Sequence, residues 1–400
     1  MIQSYSGEFT ISPIPLEMSL NYCSHACAYC FANLNSPDRK YDANKFINDV
    51  KNCKKNKSLK SRLLAGGYSI LLSNRVDPFA HSNWRQSLQA IELLHNNGNK
   101  ISFQTKGGQG IDEALDLIDY KTNFYISISM YDDLIRQVIE PGAPSIQSRF
   151  ELIDKLKERG HSVSVGINPI VEEWLPEQDI DKIIEQLKKS NVSNIWMESL
   201  HLNGNQIKQM SKREKEAIGK DLLENSKKRN NSKVNTYFRY IHETLRNEGF
   251  EVYSMNQPYK TNYFDEYHKN HKGFKTHQDF INYCFEKYPN GGEIKWNEYY
   301  NFMKNDLFEE NFSDADGYVY RIARNVWKRL PNTPFKTLKD VLRAYWENSD
   351  ISKSLLGNAL FSVLSYKENN EDFEYLCKED GTIIYYFHGY PANVWRHYVD

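Results

Sequence analysis

Apolar and polar positions along the first 200 residues switch between two periods. Short β-branched or aromatic runs alternate every second residue, and between them lie stretches whose apolar residues recur at helical spacing. The first pattern marks strands, the second helices packed by one face. Strands are predicted at Pro15–Leu20, Ser69–Ser73, Lys100–Thr105, Phe124–Met130, Ser162–Ile167 and Asn194–Leu200. Helices are predicted at Ala43–Lys54, Asn83–His95, Ile111–Ile118, Ile146–Arg159 and Glu177–Lys189. Ser145 stands where a helix N-cap belongs and Gly160 where the same helix must stop. Strict alternation of strand and helix predicts βαβ units and a parallel sheet, an α/β fold.

The faces of those strands choose between a barrel and a doubly wound sheet. Phe124, Ile126, Ile128 and Met130 share one face of the fourth strand, with Tyr125, Ser127 and Ser129 opposite. Glu17, Ser19 and Asn21, then Ser102, Gln104 and Lys106, then Ser162, Ser164, Gly166 and Asn168, and finally Asn194, Trp196 and Glu198 repeat the polar side. A sheet covered by helices on both faces is apolar on both. One recurrently polar face suits a lumen that holds a polar ligand. The expectation is a partial (β/α)6 barrel.

Beyond residue 205 the pattern changes. Long polar helices are expected over 206–226 and 233–249, then one more strand at Phe250–Ser254. Residues 256–400 read as a mostly helical, aromatic-rich module that closes over the barrel, ending in a hairpin of Phe373–Cys377 and Thr382–Phe387. The expected domains are thus 1–255 and 256–400.

Charge adds little. The formal net charge is −1, so no global field points to nucleic acid or membrane. The basic run at 51–62 is read first as a solvated helix end and second as a nucleic-acid contact. No segment approaches the ~20 apolar residues of a membrane span, and a soluble cytoplasmic protein is expected.

The chemistry concentrates in Cys23-Ser-His-Ala-Cys27-Ala-Tyr-Cys30, directly after the first strand. A four-iron, four-sulfur cluster normally takes four thiolates, so three leave one iron open for another ligand. Structural zinc is the competing reading, but closed zinc sites want four ligands. Only His25 lies nearby, and Cys53, Cys284 and Cys377 are far along the chain.

This spacing, with Tyr29 before the last cysteine, resembles the signature of the radical S-adenosylmethionine (radical SAM) superfamily. The resemblance implies that the open iron binds S-adenosylmethionine, whose reductive cleavage yields a 5′-deoxyadenosyl radical that takes hydrogen from a substrate. Ser73–Phe79, Gln104-Thr105-Lys106, Ser127–Ser129, Glu140–Pro144 with Arg149, and Asn168-Pro169-Ile170 are further similar to the spore photoproduct lyase-like (DNA repair photolyase-like) group, over about residues 14–200. Carried over by position, Lys106 and Ser127 contact the methionyl carboxylate and amino groups, and Ser73, Asp77 and Ser129 line the same pocket. Plainer readings stand beside these: a solvated loop lysine, a small core serine, an aspartate that starts a turn. Glu198 is read as a ribose contact, a proton shuttle or a structural acceptor. Tyr29, Tyr68 and Tyr125 are candidate hydrogen donors. The lyase's own hydrogen-donor cysteine has no counterpart, since Asn74 stands near its place. The expected substrate is a nucleic acid or nucleotide. The alternatives are a biosynthetic enzyme acting on a small metabolite or peptide and, more remotely, a zinc-stabilised binding protein. A flavodoxin- or ferredoxin-like reductase is the expected electron source.

Overall fold

The computed structural model describes residues 2–4, 12–18, 20, 22–32, 41–200, 202–226, 232–254, 260–305 and 337–347, with short stretches between 307 and 335 and between 364 and 387. One eight-stranded sheet organises the chain: β1 (Ile2–Ser4), β2 (Leu16–Met18), β3 (Ile70–Leu72), β4 (Ile101–Thr105), β5 (Asn123–Ser127), β6 (Ser162–Ile170), β7 (Asn194–Ser199) and β8 (Glu251–Tyr253). β1 runs antiparallel to β2, and every later neighbour is parallel. The strand order follows the chain without reversal. A doubly wound sheet reverses at a switch point, so the partial barrel is the fold, with β8 as the additional strand expected near residue 250.

The helices between these strands are α1 (Ala43–Lys51), α2 (Leu59–Ala65), α3 (Trp84–Asn96), α4 (Ile111–Leu117), α5 (Asp133–Ile139), α6 (Ile146–Glu158) and α7 (Glu177–Lys189). Ser145 caps α6 by accepting from Ser148 N, and Gly160 adopts φ +76° past its end. Two helices lay outside the sequence expectation. α2 starts within the basic run, where Ser58 caps it, and continues past it with Leu63 and Leu64 turned inward. α5 is short and shows Leu134 and Val138 to solvent, which breaks the amphipathic signal. The expected long helix at 206–226 is three: α8 (Gly204–Gln209), α9 (Lys212–Ile218) and α10 (Lys220–Ser226). Ser211 opens α9 with a capping box, and Gly219 at φ +85° separates it from α10. α11 (Ser232–Asn247) then leads into β8.

Burial follows the predicted alternation. Phe124 and Ile126, Val163 and Val165, and Ile195 and Met197 are buried under the helices. Gln104 and Lys106, Tyr125, Ser164 and Asn168, and Trp196 and Glu198 stay half-buried on the opposite, lumenal face. Ser19 and Asn21 lie outside the described residues.

The segment after β8 seals the barrel at the N-terminal ends of its strands, away from the cysteine loop. His271 Nδ1 meets Ser69 Oγ at 2.9 Å ahead of β3, and its Nε2 meets Thr122 Oγ1 at 3.0 Å ahead of β5. Lys100 Nζ donates to Asn270 O, Ser162 Oγ to Glu266, and Asn194 Nδ2 to Tyr263 O. The module was expected to close over the barrel, and its described residues 260–274 do so at this end of the strands. α12 (Asp265–Asn270), α13 (His277–Lys287), α14 (Trp296–Met303) and α15 (Leu338–Glu347) follow. Phe280, Tyr299, Tyr345 and Trp346 form their fully buried core. Strand β9 (Gly292–Lys295) pairs with Ile383–Phe387, which also pairs with Leu376–Cys377 as the expected hairpin requires. Its turn lies outside the described residues.

Candidate active site

Parallel α/β barrels gather their chemistry at the C-terminal ends of the strands, and here the cysteine loop leaves that end of β2. Two tight turns shape it, with Ala26 N donating to Cys23 O and Cys30 N to Cys27 O. Ala26 takes φ +52°, the left-handed region, between them. The turn after α5 docks the loop from outside: Ala28 N donates to Ile139 O and Gly142 N to His25 O. Gly142 is required at that contact, because a Cβ there would lie 2.2 Å from Ser24 O.

Cys23 and Cys27 are buried and Cys30 half-buried, and none is in a disulfide. The Cys23 thiol is pushed up to about 12 by burial and by the nearby Asp77 charge, while backbone N–H groups of Asp77 and His25 favour its thiolate. Burial raises Cys27 well above its ordinary value, with Glu140 next, and Cys30 and Cys23 are close enough to add to it. Two desolvated thiols that resist ionisation, Cys23 and Cys27, with Cys30 on the same loop, need a cationic centre to become thiolates. That donor set fits an iron–sulfur cluster. Among the described residues no three His, Cys, Asp or Glu side chains gather as they do around a single metal ion.

Behind the loop lies a buried charge network. Glu140, fully buried, accepts from Arg149 Nη2 at 2.5 Å, from Lys106 Nζ at 3.0 Å and from the Tyr29 hydroxyl. Burial works to raise the Glu140 carboxyl, but Arg149 and Lys106 outweigh it and hold the group well below the usual carboxylate range. Arg149 also donates to Ser127 O and Pro144 O, tying α6 to β5. Lys106 spends its remaining protons on Ser127 Oγ at 2.6 Å and Tyr29 Oη at 3.1 Å. Tyr29 stacks on Trp174 with ring centroids 5.7 Å apart and reaches Ser129 Oγ at 3.3 Å. Ser129 Oγ donates to Asn168 O at 2.6 Å, and Asn168 Nδ2 donates to Glu198 at 3.2 Å.

The structure thus brings Tyr29, Lys106, Ser127, Ser129 and Glu198 onto one rim, linked through Asn168 and Glu140. Ser73 and Asp77 belong to the same mouth but do internal work. Ser73 Oγ accepts from Arg75 N, and Asp77 accepts from Phe79 N, Thr105 Oγ1 and Lys106 N. The turn reading of Asp77 describes these bonds. Tyr68 is displaced from its expected place: it precedes β3 at the sealed end, where Asn305 donates to its hydroxyl. Tyr125 does face the lumen, packed so closely on Gly166 that a Cβ there would lie 1.8 Å from its Oη. Cys53 faces away from the lumen, with Asn97 Nδ2 at 3.8 Å. Glu140 and Arg149 appeared in the sequence only as motif letters. Their signal was an acid and a base nine residues apart that the fold buries together. Trp174 gave no signal at all.

Comparison with known proteins agrees with this geometry. Residues 19–187 match the model of the radical SAM superfamily. A protein of Acidianus two-tailed virus, ORF301, is 29% identical over 181 residues, 43% of this chain and 60% of that protein. The Mycobacterium tuberculosis protein Rv2578c is 24% identical over 195 residues, 46% of this chain and 57% of that protein. A radical SAM Nα-GlyT isomerase of Pseudomonas phage M6 is 29% identical over 176 residues, 42% of this chain and 35% of the isomerase. The chain therefore matches about 60% or less of the length of these curated relatives. Among solved structures, Streptococcus suis SuiB bound to S-adenosylmethionine superposes with TM-score 0.40 at 14% identity, covering 61% of this chain and 51% of SuiB. Spore photoproduct lyase with a dinucleoside spore photoproduct gives TM-score 0.39 at 20% identity, covering 51% of this chain and 62% of the lyase. The family match lies over the strands and loop that carry the three thiols, so residues 19–187 form a radical SAM domain.

Proposed function

We propose that Cys23, Cys27 and Cys30 hold a four-iron, four-sulfur cluster with one open iron, and that the enzyme takes a hydrogen atom from an unactivated C–H bond of its substrate. The observation that supports this most is the three mutually interacting thiols set over a polar lumen. When bound, cluster and S-adenosylmethionine supply a one-electron cleavage of the sulfonium and a 5′-deoxyadenosyl radical.

The chain's own residues bind, orient and exclude water. Glu140 and Arg149 fix the end of β5 against α6 and keep the Lys106 ammonium aimed at the rim. Lys106 and Ser127 are the residues we assign to the methionyl end, a point charge and a small polar neighbour at adjacent strand ends. A carboxylate held there would compete with the three oxygens that Lys106 already meets, on Glu140, Ser127 and Tyr29. Tyr29, with its hydroxyl engaged by Glu140, Lys106 and Ser129, is assigned as a positioning residue that clamps the loop onto the barrel. Burial and the Glu140 charge hold its phenol well above the ordinary tyrosine range. Asp77 positions the β3 and β4 ends, and Ser73 and Ser129 line the mouth.

A nucleotide or nucleic acid is the substrate implied by the spore photoproduct lyase-like motifs. Two observations favour the second reading, a small metabolite or peptide. The exposed Lys51, Lys54, Lys55 and Lys57 stand where α1 ends, at the sealed end of the barrel. In addition, Glu198 puts an acid in the lumen, where a polyanion wants cations. Among the described residues no helix is long and apolar enough to cross a membrane. We assign the electron supply to a flavodoxin- or ferredoxin-like reductase.

Anaerobic reconstitution with iron and sulfide, followed by reduction with S-adenosylmethionine present, tests the reading. Formation of 5′-deoxyadenosine by the wild type and its loss in Cys27→Ala are expected. A colourless protein with one tight zinc, or cleavage that survives the substitution, overturns it. Deuterium traced into 5′-deoxyadenosine from labelled nucleic acids, peptides or extract separates the substrate readings.

A further inference from the structure

Three acids with buried side chains at the barrel mouth come with compensation, and a fourth, Glu198, stands apart from them. Glu140 has Arg149 and Lys106, Glu17 has Arg75 at 3.3 Å, and Asp77 has His25 Nδ1 at 3.5 Å besides its backbone and hydroxyl donors. Among the described residues, no Lys, Arg or His lies within ion-pair distance of Glu198. Its two hydrogen-bond partners are neutral, Asn168 Nδ2 at 3.2 Å and the Trp196 side chain, and toward both the carboxyl acts as acceptor. Burial accordingly raises its pKa above the ordinary value. The residue stands on the lumenal face of β7 and is connected through Asn168 and Ser129 to Tyr29, so it lies beside the proposed radical site rather than in a distant core.

Beneath it is an aromatic floor. The Trp196 ring lies 4.8 Å from Tyr253 and 5.9 Å from Tyr263, and Tyr253 and Tyr263 stack at 5.1 Å. Trp196 is only partly buried against this cluster. A carboxyl without a counter-charge beside an indole face is the pairing that recognises an organic cation, through charge on one side and the ring quadrupole on the other.

We propose that Glu198, held by Asn168 and set beside Trp196, is a substrate subsite for a cationic hydrogen-bond donor, a primary ammonium or guanidinium group. This deepens the functional reading above and rests on it for the claim that the occupant is the substrate. An amine-bearing metabolite or a basic peptide side chain meets the requirement, and a bare phosphodiester does not.

The test uses reconstituted holoenzyme and ligand-observed NMR with three probes of one shape: propylammonium, propanol and propionate. Wild type is expected to bind propylammonium at least tenfold more tightly than the other two. Glu198→Gln is expected to erase that preference, Glu198→Asp to retain part of it, and Asn168→Ala to fall between. Iron content and S-adenosylmethionine affinity are measured in parallel and should stay within twofold of wild type. Equal binding of the three probes, or propylammonium affinity within twofold of wild type in Glu198→Gln, overturns the proposal. So does a tenfold loss of S-adenosylmethionine affinity in that variant, which would place the carboxyl in the cofactor's own site. A protein that takes up no cluster sinks the functional reading instead, and the probe preference is then decided on the metal-free protein. If Glu198→Gln fails to fold, Glu198→Asp and Asn168→Ala carry the same comparison.

Discussion

Replacing Glu140 by Gln keeps the side chain's shape and removes the charge that two buried cations share. Charges 2.5 and 3.0 Å apart, the Arg149 and Lys106 separations, attract by about 7 and about 6 kcal/mol at an effective dielectric constant of ~20. Desolvation has already cost several kcal/mol per ion, so the native pair is worth little net. Deleting one partner strands the other charge and typically costs ~3–5 kcal/mol. If the whole chain unfolds cooperatively, with an entropy of roughly 2.1 cal/mol/K per residue, that lowers Tm by about 4–6 °C. Differential scanning of the metal-free protein measures it, with Asp116→Asn as the control. That substitution breaks the exposed Arg159–Asp116 pair, and such pairs contribute only ~0–1 kcal/mol. The pH dependence has a definite sign. Glu140 is depressed in the fold, so its contribution is present above the unfolded carboxylate value of about 4.3 and fades only in strong acid. The gap between wild type and Glu140→Gln should persist from pH 7 to pH 5. A Tm shift no larger than that of Asp116→Asn refutes the claim that this pair organises the rim.

Three further outcomes follow from single contacts. Gly166→Ala should destabilise by roughly 1–3 kcal/mol, as overpacking does, because the new Cβ meets Tyr125; Tyr125→Ala in the same chain should restore the urea midpoint. His271, depressed to about 3 by burial and then by Lys100, stays neutral in the fold while the unfolded chain protonates near pH 6.5. Its share of stability is therefore full above about 6.5 and lost as pH falls toward 3, by up to ~1.4 kcal/mol per pH unit; urea titrations at pH 7.5 and 5.5 should show a shallower decline for His271→Gln. Tyr68→Phe should leave 5′-deoxyadenosine formation within twofold of wild type, since Tyr68 lies at the sealed end, and a larger loss would return it to the list of hydrogen donors.

Most of the barrel was legible because its strands have one polar and one apolar side. The period of two at Phe124–Ser129 and Ser162–Asn168 gave both the strands and the lumen. The cysteine loop was legible because its spacing is local in sequence. What escaped were elements whose stabilisation comes from distant partners. α5 shows Leu134 and Val138 outward, so no amphipathic stripe announced it. The plug at 260–274 is polar and was read with the module after it, because its hydrogen bonds go to Ser69, Thr122 and Asn194, far along the chain. The Glu140–Arg149 pair escaped for a related reason: a charged residue carries no mark that it will be buried. Asp77 shows the limit of transfer by position: its turn bond from Phe79 N was among the sequence readings, and its bonds from Thr105 and Lys106 N were not.

The central claim is that three thiolates leave one iron of a four-iron cluster open to S-adenosylmethionine, and electron paramagnetic resonance of the reduced, reconstituted protein tests it most directly. The account predicts a reduced-cluster signal whose g-values shift when S-adenosylmethionine is added, and no such signal in Cys27→Ala. A signal indifferent to S-adenosylmethionine, or one that survives loss of Cys27, would contradict it.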